Sequence, residues 1–115
     1  MSDVENITVL KALAHETRWR MIELLLGHSL CVGALAKTLG VTEAAASQHL
    51  QILRKAGLVR GEKRGYWTHY LVQTQELQHL GRDLAELPER AAGLRDLNAE
   101  ICSGSDQENN QTGGE

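Results

Sequence analysis

Two short apolar stripes of helical period lie almost end to end between Val32 and Ala56. Val32, Leu35, Ala36 and Leu39 share one side of the first, which stops at Gly40, the residue type that most readily closes a helix in the left-handed conformation. Two residues further on, Thr42 can cap a second helix beginning at Glu43, whose Ala46, Leu50 and Leu53 face inward until Ala56-Gly57 stops it. Two helices joined by a tight turn that opens with glycine form the helix-turn-helix signature.

The flanks extend this unit. Val4, Ile7, Leu10, Leu13 and Ala14 recur at three- and four-residue steps and predict an amphipathic helix over Val4 to Ala14. A second helix is expected from about Glu16 to Leu26, with Trp19, Ile22, Leu25 and Leu26 inward and Gly27-His28-Ser29 as its stop. After Gly57 the period changes from helical to alternating. Leu58-Val59 enters a strand, Lys63-Arg64-Gly65 reads as a turn, and Trp67 to Val72 is rich in strand formers. Leu77, Leu80, Leu84 and Leu87 then follow at steps of three, four and three, the spacing of a helix that packs on another helix. Pro88 should end or kink that helix, while Ala91, Leu94, Leu97 and Ile101 predict a second helical piece beyond it. The fold class expected is mainly α with a small β-hairpin, a winged helix-turn-helix over residues 1–102. Residues 103–115 offer no apolar side chain to bury and are expected to be a disordered polar tail.

Composition narrows the function classes. Aromatic residues make up 3% of the 115 and Phe is absent, so the core must be built from Leu, Ile, Val and Ala. No apolar run approaches the roughly 18 residues of a membrane span, and no basic-then-apolar leader opens the chain, so a cytoplasmic protein with no membrane partner is expected. Cys31 and Cys102 are too few to build a disulfide framework. There is no phosphate-cradling glycine loop, nucleophile motif or complete metal triad, which argues against an enzyme. The net charge of −3 hides an uneven distribution. Residues 37–70 carry six Lys and Arg against two Glu, whereas residues 71–115 carry three against nine Asp and Glu.

Three stretches carry a family resemblance: Ala12-Leu13-Ala14-His15-Glu16-Thr17-Arg18, Ser29-Leu30-Cys31-Val32-Gly33-Ala34-Leu35-Ala36, and Val41-Thr42-Glu43-Ala44-Ala45-Ala46-Ser47-Gln48-His49-Leu50-Gln51-Ile52-Leu53-Arg54-Lys55-Ala56-Gly57-Leu58-Val59. In this order and spacing the chain, over about residues 7 to 87, resembles the ArsR/SmtB transcriptional repressors. The resemblance implies a homodimer formed by both terminal helices, bound to operator DNA and released when a metal, metalloid or oxidant reaches a site on the third or last helix. A protein-interaction module and a ligand-independent repressor are the alternatives. Salt-dependent binding to its own promoter separates the first of these from a DNA-binding regulator.

In a recognition helix the N-terminal half enters the major groove. With Ala46, Leu50 and Leu53 inward, Thr42, Glu43, Ala44, Ser47, Gln48 and Gln51 are left facing out, and Gln48 has the amide that pairs bidentately with adenine. Arg54, Lys55, Arg60, Lys63 and Arg64 can neutralise phosphates, with Tyr66 beside them on the sugar-phosphate edge. His49 falls inside the family's Ser-Gln-His-Leu motif and joins the DNA-binding set, whereas Trp67 and Tyr70 are expected to pack. So short a recognition helix needs two copies on a palindrome about one helical turn apart. The dimer contact is placed on Leu77, Leu80, Leu84 and Leu87 with Ile7 and Leu10; covering the monomer core is the other use of that stripe.

The sensor motifs are incomplete. Where the family's arsenical site has a second Cys and an acid, this chain has Gly33 and Ala34, leaving Cys31 as one thiol where soft ions need two or three. Cys31 and Cys102 are the possible sensor thiols, Cys31 because a helix N-terminus favours its thiolate. The family's zinc pattern of Asp-x-His and His-x-x-Glu on the last helix is also missing. Glu76, His79, Asp83 and Glu86 instead share one face, competent for a borderline ion or simply solvated.

Overall fold

The computed structural model describes the backbone of residues 3–101 and the side chains of residues 5–93. The chain falls into two units, one ending at Gly81 and the other beginning at Arg82. The elements are α1 (Asp3–Leu13), α2 (Glu16–Gly27), α3 (Val32–Leu39), α4 (Glu43–Lys55), β1 (Val59–Arg64), β2 (Trp67–Val72) and α5 (Thr74–Ile101). This is a helix-turn-helix followed by a two-stranded antiparallel wing.

Local chemistry sets each boundary. His15 caps α2, its Nδ1 accepting from the Thr17 N–H at 3.1 Å. Arg18 reaches back to the end of α1, donating from Nε to the Ala12 carbonyl at 2.6 Å and from Nη2 to the Lys11 carbonyl at 3.4 Å. It thereby takes up carbonyls that a helix C-terminus leaves open. Between α3 and α4, Gly40 adopts φ 72°, which allows the Val41 N–H to bond the Ala36 carbonyl at 3.0 Å. Thr42 then caps α4 by accepting from the Ala45 N–H at 3.0 Å.

The core of the first unit is aliphatic, as the composition requires. Met21, Leu35, Leu53 and Leu58 are fully enclosed, and Val9, Ile22, Leu25, Leu50 and Leu80 surround them. Among the described residues no polar side chain is fully buried.

Three expectations are corrected. The inward face of α2 is Met21, Ile22 and Leu25, with Trp19 and Leu26 outside, because these two lie one turn either side of Ile22 on the row at the edge of the buried arc. On α1 the buried row is Val9, Ala12 and Leu13, and Ile7 and Leu10, expected at a dimer contact, lie outside that row. The wing turns at Gly65-Tyr66 rather than at Lys63-Arg64-Gly65: Arg64 pairs with Trp67, and Gly65 supplies φ 65° at the first position of the two-residue loop. Trp67, expected to pack, is largely exposed. Tyr70, by contrast, packs against the core and bridges to Leu30, donating its N–H to the Leu30 carbonyl at 2.8 Å.

Helix α5 runs through Pro88 without ending there. The proline removes the N–H that would bond the Leu84 carbonyl, and the exposure of this stretch leaves that carbonyl open to solvent. In the first unit, Leu80 is part of the core and Leu77 packs against it. In the second, Leu84 and Leu87 are 43% and 52% exposed. Arg90 there contacts the Glu86 carboxylate at 3.9 Å and the Asp83 carbonyl at 3.4 Å. Cys102 and the 103–115 tail lie outside the described residues.

Candidate nucleic-acid interface

Helix α4 divides cleanly into two faces. Ala46, Leu50 and Leu53 are buried, and Ala44, Ser47, Gln48, Gln51 and Lys55 form an exposed stripe on the opposite side, with Thr42 and Glu43 exposed at its start. Ala44 adds no bulk near the N-terminus, so the backbone there can approach a surface closely while Ser47, Gln48 and Gln51 present hydrogen-bonding groups. Short polar side chains on an exposed helix face are the chemistry that a groove lined with donors and acceptors calls for.

A carboxylate free on this face would repel phosphates, and Glu43 is not free. Its carboxylate packs against Gly33 instead: a Cβ built on Gly33 would meet Glu43 Oε2 at 3.3 Å. The acid therefore sits at the first turn of α3, where the helix dipole favours negative charge. A cysteine side chain at position 33 would have to share this space with that carboxylate. Cys31 precedes α3 as its half-buried N-cap residue and makes no side-chain capping bond.

His49 is held by the scaffold. Its Nδ1 accepts from Arg18 Nη1 at 3.2 Å, and its ring lies 4.6 Å from that of His15. Partial burial, His15 and Arg18 together hold its pKa below the usual histidine value. One arginine thus connects the end of α1, the start of α2 and the flank of α4, a network that charge counting along the sequence could not reveal.

The wing is less basic than its sequence suggests. Arg60, Glu62 and Arg64 alternate along β1 and share a face. Glu62 accepts from Arg60 at 3.0 Å and from Arg64 at 2.9 Å, and Arg64 also donates to Ser29 Oγ at 3.0 Å. Its hydrogen bonds with Arg64 and Arg60 hold the Glu62 carboxyl below the usual range. Lys63, exposed and paired in register with Thr68, has no acidic partner among the described residues. Tyr66, 95% exposed at the turn, and Trp67 beside it give the tip two aromatic surfaces. The signal for Glu62 was available in the i, i+2 spacing of Arg60-x-Glu62-x-Arg64 within a strand.

The other candidates are dispersed. Among the described residues no three His, Cys, Asp or Glu side chains come together to hold a metal. No described helix is long and apolar enough to cross a membrane.

The model of the family described as "Bacterial regulatory protein, arsR family" matches residues 15–60, the span from the α2 cap to the start of the wing. The chain is 36% identical over 77 residues to the transcriptional activator HlyU of Vibrio cholerae, covering 67% of this chain and 71% of that one. It is 42% identical over 72 residues to the arsenical resistance operon repressor of Escherichia coli, covering 61% of each. Among solved structures, an ArsR-like transcriptional regulator from Rhodococcus superposes with a TM-score of 0.74 at 27% identity, over 89% of this chain and 96% of that chain. A homodimeric winged helix-turn-helix DNA-binding domain from Mycobacterium bovis superposes at 0.58 with 25% identity, over 94% and 97%.

Proposed function

The chain belongs to the ArsR family of bacterial regulatory proteins and is a DNA-binding transcriptional regulator rather than an enzyme, and from that premise we propose that it acts as a homodimeric repressor on a palindromic operator. The observation that carries this reading is the exposed polar stripe of α4, Ala44-Ser47-Gln48-Gln51-Lys55, opposite a fully apolar buried face. Thr42, Glu43 and Ala44 bring the helix N-terminus to the groove; Ser47, Gln48 and Gln51 read base edges; Lys55 and Lys63 neutralise phosphates; Tyr66 packs at the backbone. Arg64 contributes through its shared hydrogen bonds with Glu62 and Ser29, and His49 orients the helix through Arg18. Two copies about one helical turn apart would supply the affinity, a neighbouring structure is described as homodimeric, and work on an operator would be done in the cytoplasm.

Family regulators commonly respond to metal or metalloid ions. For this chain, the inducer proposed is a thiol-reactive agent acting at Cys31, because Gly33 offers no second sulfur and Glu43 occupies the space beside it. Cys31→Ser should then leave operator binding intact and abolish release by such agents.

The DNA reading is tested by anisotropy titrations on the protein's own promoter. Gln48→Ala should lose about 1–3 kcal/mol of discrimination at one base pair. Lys63→Ala should weaken all sequences alike and reduce the slope of log K against log salt by about one. Indistinguishable effects of the two variants would overturn the division of roles.

A further inference from the structure

A cleft of about 360 Å³ opens between α1, α2 and the C-terminal half of α4, sharing Lys55 with the end of the polar stripe and none of its other members. Its lining combines the apolar Ala12, Ile52 and Ala56 with Thr8 and the cationic Lys11, Arg18 and Lys55. Ile52 is 42% exposed although it lies on a helix with a complete core face. Neither Lys11 nor Lys55 has an acidic partner among the described residues. Three cations lining a largely apolar cleft of small-molecule size are complementary to one kind of ligand. We propose that this cleft is an effector site for a small organic carboxylate with a flat apolar body, its ring on Ile52 and Ala56 and its carboxylate between Lys11, Lys55 and Arg18.

The site is wired to the DNA-reading helix. Ile52, Lys55 and Ala56 belong to the end of α4, and Arg18 already donates to His49 on the same helix at 3.2 Å. A carboxylate in the cleft competes with His49 for the guanidinium and with phosphates for Lys55. Occupancy therefore weakens the hold on both, a differential interaction of the kind a ligand needs to shift a binding equilibrium. This is a second route to release, separate from any thiol chemistry at Cys31.

The test uses the full-length protein free of DNA, so failure of operator binding would not mimic failure of the site. 1-Naphthoate is titrated into the isotope-labelled protein and followed by amide and imidazole NMR, with 1-naphthamide and inorganic phosphate in parallel. Saturable shifts are expected at Thr8, Ala12, Ile52 and Ala56 and on the His49 ring with naphthoate only. Lys11→Gln and Lys55→Gln should each raise the dissociation constant by about three- to fivefold, as expected of partly solvated charge contacts, while leaving the rest of the amide spectrum in place. Equal shifts with naphthamide would overturn the role of the cations. Equal shifts with phosphate would show a backbone-phosphate contact instead of an effector site. Shifts elsewhere, shifts insensitive to both substitutions, or a silent His49 ring would likewise overturn the proposal.

Discussion

The imidazole of His49 accepts from Arg18 through Nδ1 and lies against the ring of His15, whose own Nδ1 accepts the capping bond of Thr17. Both nitrogens must be unprotonated to accept. Partial burial, and after it the neighbouring His15 and Arg18, oppose a positive charge on His49. Its folded pKa is therefore depressed, and the unfolded chain binds the proton more tightly. The sign follows: this contribution to stability is fully present above the ordinary histidine value of about 6.5 and is lost as pH falls through the lower folded value. Urea midpoints measured from pH 8 down to pH 5 should fall for the natural protein and fall less steeply for His49→Gln. Parallel profiles would show that His49 does not report the network. The same residue marks a limit of reading by motif. Its place in Ser-Gln-His-Leu was visible at once, but its partner Arg18 is 31 positions away, and only the packing of α2 on α4 brings the two together.

The helix-turn-helix was legible because every signal in it is local. A glycine that can take φ 72°, a threonine two residues on, and apolar rows at helical spacing all agree on one answer. The wing was legible as a hairpin but misplaced at its turn, since Lys63, Arg64, Gly65 and Tyr66 contain one glycine and several possible alignments. Strand register, set by Val59 opposite Val72 and Arg64 opposite Trp67, decided it. Gly65 is thus the residue on which the hairpin depends. Gly65→Ala forces a side chain into the left-handed region and should destabilise the wing by about 1–2 kcal/mol. In hydrogen exchange, protection should drop across β1 and β2 and stay unchanged in α3 and α4. Operator affinity should fall through the wing's phosphate contacts while base preference is retained. A loss of base preference in this variant would mean that the wing, and not α4 alone, reads sequence. Glu62 gives the complementary case: Glu62→Gln frees Arg60 and Arg64 and should tighten binding to non-specific DNA, with a steeper salt dependence.

At the scale of the whole molecule, a single copy presents one short recognition helix and leaves sizeable apolar surface uncovered. Ile7 and Leu10 on α1 are 52% and 38% exposed, and Leu84 and Leu87 on α5 are 43% and 52% exposed. Leu77 and Leu80 belong to the monomer's own packing, so burial divides the sequence stripe from Leu77 to Leu87 into a packed pair and an exposed pair. Periodicity reported all four leucines alike because spacing records which residues share a face and not what that face meets. We propose that the outward pair on α1 and the outward pair on α5, each in its own unit, meet a second copy of the chain. Leu84→Glu should therefore yield a monomer in sedimentation velocity, as should Leu10→Glu. Affinity for a palindromic promoter fragment should drop at least about a hundredfold, because the second half-site contact is no longer intramolecular. Affinity for a single half-site should hardly change, since α4 and the wing are untouched. Persistence of the dimer in both variants would place the interface elsewhere. Loss of half-site binding along with the dimer would show instead that the DNA-reading unit requires its partner to hold its shape.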